Sequence, residues 1–254
     1  MTIHKANLVV ITVHKGPIQK LKNTLRSIDT QICAPYRNIV IAKNISLYQI
    51  ANFKKKNRIF ILNKDKSIYN AMNIGLRNTI RNDKFIIFLN SGDTFFDKKV
   101  IFHVKKYFMQ NIPIVGRQIL RYNKNFYSIR KYFANKNDYL PHGSFFCPPR
   151  AMHSASKSIK FDEKHKIDAD GIWMKEVISA CKNNFKKINT TVSVLELGGI
   201  STNPSASTAL HYAKINFYSS IKEFIKFILR LTVGNNLYYK IIYFFKYKHV
   251  KKEI

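Results

Sequence analysis

Apolar residues in the first half of the chain come in two alternating rhythms. Leu8 to Val13, Ile39 to Ile41, Ile59 to Leu62 and Phe85 to Leu89 are short, nearly unbroken apolar runs. Such runs suit strands covered on both faces, as in a parallel sheet. Between them the spacing turns helical, at Leu21, Leu25 and Ile28, at Leu47, Ile50 and Ala51, and at Ile68, Ala71, Met72, Gly75, Leu76 and Ile80. In the last of these segments Asn70, Asn73, Arg77, Asn78 and Arg81 take the opposite face, which predicts an amphipathic helix lying on a flat surface. A further helix is expected over Val100, Ile101, Val104 and Phe108, then a strand at Ile112 to Val115. Repeated strand-helix units of this length predict an α/β fold with a mainly parallel sheet and right-handed crossovers.

Beyond Val115 the pattern loosens. Aromatic and basic residues mix without a period from Arg117 to Tyr139, which reads as irregular strands and loops, and Leu140 to Phe146 reads as a turn entering a strand. A helix begins near Asp170, with Ile172, Val177, Ile178 and Cys181 facing inward and Asp168 or Asp170 placed to cap it. Val192 to Leu197 is the last predicted strand, followed by a polar passage through Gly198, Gly199 and Ser201 to Ser207. The organisation expected is one domain over 1–207, with a ligand-binding part at 1–116 and a second part at 117–207, and a helical tail at 208–254.

Composition adds a bias rather than a new class. At 254 residues, 46% hydrophobic and 23% charged, the chain can bury a sizeable core, and disorder is excluded. Its net charge of +30 fits either a lysine-coated surface or a polyanionic partner, whether nucleic acid or an anionic membrane. Three cysteines, Cys33, Cys147 and Cys181, argue against a disulfide scaffold or zinc site and suit a reducing cytoplasm. The N-terminal apolar run is shorter than a signal peptide requires, and no run reaches the roughly 18 apolar residues of a membrane span. From Ala209 to Ile254 the basic residues are Lys214, Lys222, Lys226, Arg230, Lys240, Lys246, Lys248, Lys251 and Lys252, against Glu223 and Glu253. With Phe217, Ile221, Phe224, Ile225, Ile228 and Leu231 on one helical face, this tail suits packing on the domain or attachment to an anionic bilayer surface equally well.

The chemistry concentrates where the fourth apolar run ends. Asn90-Ser91-Gly92-Asp93 follows Leu89, and ligands of open α/β sheets bind beyond the carboxyl ends of the strands. Asp93, with small neighbours and Asn90 beside it, is placed to hold a hard divalent cation that shares its other positions with phosphate oxygens. Capping of a following helix is the competing reading. His14, His103, His153, His165 and His211 show no ligand pairing and read as surface or packing residues. Trp173 reads as core or as a platform for an acceptor.

DKSIYNAMNIGL, FIIFLNSGDTFF, LPHGSFF, FDEKHKIDADGIWM and SVLELGGIS, in that order, closely resemble the bacterial family-2 glycosyltransferases of surface polysaccharide and lipopolysaccharide synthesis. The resemblance covers roughly residues 7 to 203 and rests on several spaced motifs together. It implies a GT-A type fold, a nucleotide-sugar donor with UDP-sugars favoured, Mn2+ or Mg2+, inversion at the anomeric carbon, and a glycan or lipid-linked glycan acceptor. It implies Asp93 as metal and diphosphate contact, with Asn90 in place of a more usual aspartate and Ser91 and Gly92 beside the donor. Asp65, Asn73 and Gly75 are implied at the donor site, His142 on the acceptor side, where Trp173 is also placed if it is not core, and Asp170 as general base, with Asp168 competing for that role. The chain departs from the pattern at Ala42 to Ser46, which lacks the acid expected near the nucleobase, and at Gly171 and Ile172, where an aromatic and a second acid are usual. A cytoplasmic enzyme peripheral to the inner face of the membrane is expected. A catalytically silent donor-binding relative and a basic nucleic-acid-binding protein remain the alternatives; no nucleic-acid motif is present and none is expected as partner.

Overall fold

The computed structural model describes residues 5–64, 67–79, 85–123, 126–130, 142–152, 159–165, 168–196, 217–246 and 248–250. Asp65 and the polar passage after Leu197 lie outside them. The chain divides into two compact units, 1–118 with 132–195, and 119–131 with 196–254.

In the first unit, β1 (Lys5–Lys15), α1 (Ile18–Asp29), β2 (Ala34–Lys43), α2 (Leu47–Ala51), β3 (Arg58–Leu62), α3 (Ile68–Arg77) and β4 (Phe85–Phe88) alternate as the apolar rhythm predicts. The four strands form a parallel sheet in the order β3-β2-β1-β4. Successive side chains of a strand face opposite sides, and both sides are covered. Val9, Ile11, Ile39, Ile41, Ile86 and Phe88 join the core under α3, whereas Leu8, Val10, Val40, Phe85 and Ile87 join the core beneath α1. Two-sided burial is the reason Phe85 to Leu89 shows no polar alternation. Helix α3 starts at Ser67, whose hydroxyl accepts from the Asn70 N–H, satisfying one of the unpaired amides of a helix start.

After β4 come β5 (Thr94–Phe95), α4 (Val100–Val104), a 3-10 turn (Lys105–Gln110) and β6 (Ile114–Asn123). The strand expected at Ile112 to Val115 starts two residues later and runs on into the segment that lacks a readable period. Its alternation is hidden by Gln118, which is fully buried and donates to Ser193 Oγ at 3.2 Å. A satisfied polar residue occupies a core position there. Within this unit β8 (Phe145–Phe146), α5 (Pro149–Met152), α6 (Ala169–Ala180) and β9 (Lys186–Glu196) complete the elements. β8 pairs antiparallel with β6, and β5 antiparallel with β9. Cys147 and Ile86 exchange two backbone hydrogen bonds of 2.9 and 2.8 Å, which join the segment after β8 to β4. Ile172 of α6 is exposed rather than inward-facing; Trp173, Met174, Val177 and Ile178 form the buried face.

In the second unit, β6 continues beside β7 (Phe126–Arg130), and β7 pairs antiparallel with β10 (Lys248–Val250). A helix spans Phe217–Lys246, with non-helical geometry at Gly234. Ile221, Phe224, Ile225, Ile228, Leu231 and Leu237 on it are exposed, while Tyr238 is buried. No helix among the described residues is long and apolar enough to cross a membrane.

Candidate active site

β1 and β4 are parallel neighbours, so their carboxyl ends emerge together. Leu89 N–H donates to the Ile11 carbonyl and Ser91 N–H to that of Val13, extending the pairing to the turn 90–93. Gly92 has φ +107°, a conformation that costs a side-chain-bearing residue and that glycine adopts freely. Thr24 of α1 pins the turn. Its hydroxyl accepts from the Gly92 N–H at 2.9 Å and donates to the Asp93 carbonyl at 2.7 Å. Ser27, one turn on, accepts from the Phe95 N–H at 3.1 Å. The next element is β5, and the following helix begins only at Val100, so Asp93 caps no helix. Its carboxylate is held by backbone constraint at 6% side-chain exposure.

His14, at the end of β1, is buried, and its Nδ1 lies 2.9 Å from Ser91 Oγ. Burial pushes its pKa down, so the ring is neutral. Among the dispersed histidines, which the sequence marks as surface or packing residues, His14 is a buried one. The signal that points to this contact is positional: residues ending adjacent parallel strands meet at the same sheet edge.

His142 is delivered from the other side. It opens a 3-10 turn, His142–Ser144, that runs into β8. A Cβ on Gly143 would stand 2.9 Å from Gln118 Nε2 and 3.0 Å from Ser193 Oγ, so a side chain there would push apart the buried Gln118–Ser193 pair. Ser144 Oγ donates to the Arg117 carbonyl and lies 2.9 Å from Ser193 Oγ. This buried polar set fixes the turn. His142 Nε2 lies 3.6 Å from Asp93 Oδ2 and 3.4 Å from Asn90 Nδ2, and Nδ1 lies 3.3 Å from Asp170 Oδ2.

Asp170 stands in the first turn of α6, where the helix end favours a negative charge. Asp168 occupies the N-cap position with left-handed geometry and makes no side-chain capping bond, and Asp170 Oδ1 instead accepts from the Gly171 N–H at 3.0 Å. Burial pushes the Asp170 carboxyl up, but His142 and the Gly171 N–H outweigh it and hold the pKa below the ordinary value. Asp170 is therefore a carboxylate at neutral pH.

Asn90, Gly92, Asp93, His142 and Asp170 thus form one cluster, with Ser91 on its His14 side. Asn73 is not part of it. Its amide donates to the Phe161 carbonyl at 2.9 Å and to Glu163 at 2.8 Å, and it accepts from the Phe161 N–H; this expected polar-face residue is buried and fastens α3 to the segment before α6. Gly75 faces Ile11 and Ile41 across the helix-sheet contact. Trp173 is buried, stacked on Phe161 at 4.8 Å and edge-on to Phe88.

The donor chemistry suits a hard cation. Asp93 supplies carboxylate oxygens, and Asn90 Oδ1 is buried with no hydrogen-bond partner. No group of three or more His, Cys, Asp or Glu positioned for a metal occurs among the described residues. Asp93 and Asn90 thus offer two oxygen donors, which a hard cation such as Mg2+ or Mn2+ would accept only together with further oxygen ligands from elsewhere.

No protein-family model matches the chain, and no curated protein does. Solved structures do. S. aureus TarS 1-349 superposes with a TM-score of 0.59 at 12% identity, over 92% of this chain and 72% of that one. TarS 1-349 in complex with UDP-GlcNAc gives 0.60 at 11%, over 92% and 75%. A mannosyltransferase from Pyrobaculum calidifontis, in complex with GDP-Man and Mn2+, gives 0.55 at 9%, over 92% and 72%. At such identities the likeness is one of fold. The GT-A type α/β architecture with a mainly parallel sheet, expected from the sequence, is the one observed.

Proposed function

We propose that the chain is an inverting glycosyltransferase that moves a sugar from a nucleotide-sugar donor to a saccharide or lipid-linked acceptor in surface polysaccharide or lipopolysaccharide synthesis. The observation that carries this reading is the convergence of two carboxylates from separate elements, Asp93 after β4 and Asp170 on α6, on either side of His142. The structural neighbours include a complex with UDP-GlcNAc and one with GDP-Man and Mn2+, which supports a nucleotide sugar as donor, with a UDP-sugar the favoured class.

In this reading the acceptor hydroxyl oxygen attacks the anomeric carbon, Asp170 takes its proton, and the carbon-oxygen bond to the nucleoside diphosphate breaks, its electron pair leaving with the diphosphate. Attack opposite the leaving group inverts the centre. Asp93 and Asn90 Oδ1 would hold Mg2+ or Mn2+, which supplies neutralisation of charge on the diphosphate when bound. Ser91 and Gly92 let the donor approach the turn closely. Asp65 is proposed to line the donor site and Trp173 to back the acceptor side. The Phe217–Lys246 helix is proposed to rest on the anionic inner face of the cytoplasmic membrane.

The test is release of nucleoside diphosphate from a panel of nucleotide sugars, UDP-GlcNAc and GDP-mannose among them, with Mn2+ or Mg2+ present. Asp93→Asn and Asp170→Asn should each lower turnover at least about 100-fold, the scale of removing an acid-base or charge-stabilising group. Parent-like turnover in both variants refutes the site. A parent inert toward every donor favours the silent relative.

A further inference from the structure

The link between α3 and the segment before α6 has no role in that scheme. Asn73, 3% exposed, gives both ends of its amide to one residue: Nδ2 donates to the Phe161 carbonyl at 2.9 Å, and Oδ1 accepts from the Phe161 N–H at 2.9 Å. Nδ2 also donates to Glu163 Oε1 at 2.8 Å, and Asn70 Nδ2 donates to Glu163 Oε2 at 3.1 Å. Both amide hydrogens of Asn73 are thus engaged within the chain. Residues 159–165 form neither helix nor strand, so this side chain does for the buried backbone of Phe161 what a neighbouring strand would otherwise do. The Phe161 ring is stacked on Trp173 at 4.8 Å and edge-on to Phe88 at 5.2 Å. Trp173 is itself buried, and its Nε1 donates to the Ile159 carbonyl at 3.3 Å. It stands three residues after Asp170 on α6, a spacing that makes the two neighbours on the helix surface. Asp168 makes no side-chain capping bond at the start of that helix.

We propose that Asn73 is a positioning residue for Asp170: it fixes Phe161, Phe161 shapes the slot that Trp173 fills, and Trp173 sets the rotation of α6 that turns the Asp170 carboxylate into the cluster. The path consists of hydrogen bonds and ring contacts between side chains with little room to move, because a close-packed interior passes a displacement on rather than absorbing it. Acting through Asp170, Asn73 affects the rate of proton removal and leaves donor binding alone.

Two readouts need no turnover. Gly171 N–H donates to Asp170 Oδ1 at 3.0 Å, so the solvent exchange of that amide, followed by NMR, reports how the carboxylate is turned. Trp173 is the chain's one tryptophan, and its emission reports on the slot. In folded Asn73→Ala the emission should move to the red and the Gly171 amide should exchange at least about tenfold faster than in the parent. Phe161→Leu is a swap that a core tolerates and that leaves the backbone bonds to Asn73 in place; it should speed Gly171 exchange in the same way. Glu163→Ala, which keeps the Asn73–Phe161 pair, should stay within about threefold of the parent in exchange, as an exposed substitution does. Unchanged Gly171 exchange in both Asn73→Ala and Phe161→Leu overturns the proposal. The kinetic part rests on the glycosyltransferase reading. With UDP-GlcNAc or GDP-mannose and Mn2+, kcat per folded molecule should fall at least about tenfold in Asn73→Ala and Phe161→Leu, the effect of a slightly displaced reacting group, with the donor KM within about threefold of the parent. Parent-like kcat in Asn73→Ala overturns the proposal, and if the donor KM rises alone Asn73 belongs to the donor site instead. A parent inert toward every donor, with the expected Gly171 and Trp173 responses, removes the function and keeps the grip of Asn73 on Asp170.

Discussion

Asp170 carries a charge that burial alone would suppress and that its neighbours restore, so its ionisation is tied to the folded state. Its pKa is lowered on folding. The stabilisation is therefore complete above the unfolded aspartate's value of about 3.9 and is lost as pH falls through the native value. The stability difference between the parent and Asp170→Asn should shrink as pH is taken from neutral to below that window, measured by urea unfolding at each pH. A gap that widens on acidification would contradict the assigned direction. At this scale the sequence was readable in part. Asp93 and Asp170, which the structure brings to the two nitrogens of one imidazole, stand out because acids are scarce in this chain and because the surrounding stretches resemble known motifs. His14 does not, because its contact with Ser91 depends on which strands are neighbours. Asn73 was placed on a polar face and proves buried, since its amide satisfies the backbone of Phe161 in a segment whose proximity to α3 leaves no periodic trace.

Elements position the site more than its residues do. α1 was predicted from Leu21, Leu25 and Ile28, and the same buried face carries Thr24, which ties the helix to the 90–93 turn. Thr24→Val keeps the shape but leaves the Gly92 N–H without its acceptor and the Asp93 carbonyl without its donor. It should cost about 1–3 kcal/mol, the penalty of unsatisfied buried groups, seen as a lower urea midpoint at unchanged slope. It should also reduce turnover, whereas Ser27→Ala, one turn further from Asp93, should affect stability more than rate. The parallel strands and their helices were legible because two-sided burial writes an unbroken apolar run and helical packing writes a 3.6-residue period. β6 and the early part of β9 were not, because buried polar pairs such as Gln118 with Ser193 and exposed positions such as Lys186 and Lys187 mask strand alternation.

At the scale of the whole chain, charge and fold answer different questions. The α/β architecture follows from repeating strand-helix units, and the +30 charge has no part in it. Its place is at a surface. Ahead of the break at Gly234, the helical stretch from Phe217 combines exposed Phe224, Ile225 and Leu231 with basic Lys226 and Arg230, the pairing an interfacial helix uses on anionic lipid. The full chain should float with vesicles containing phosphatidylglycerol and less with phosphatidylcholine alone, and a chain ending near Ser207 should lose the difference; equal flotation of the two chains would assign the apolar face to some other use. Finally, the pair of hydrogen bonds between Ile86 and Cys147 has a bearing on diversification. It staples the segment that follows the His142 turn and β8 to β4, the strand that leads into the 90–93 turn, so chain inserted ahead of His142 or beyond Met152 lies outside that staple. Under the proposed function, acceptor preference can then drift by exchange of those outlying stretches while the spacing of His142 from Asp93 is inherited intact.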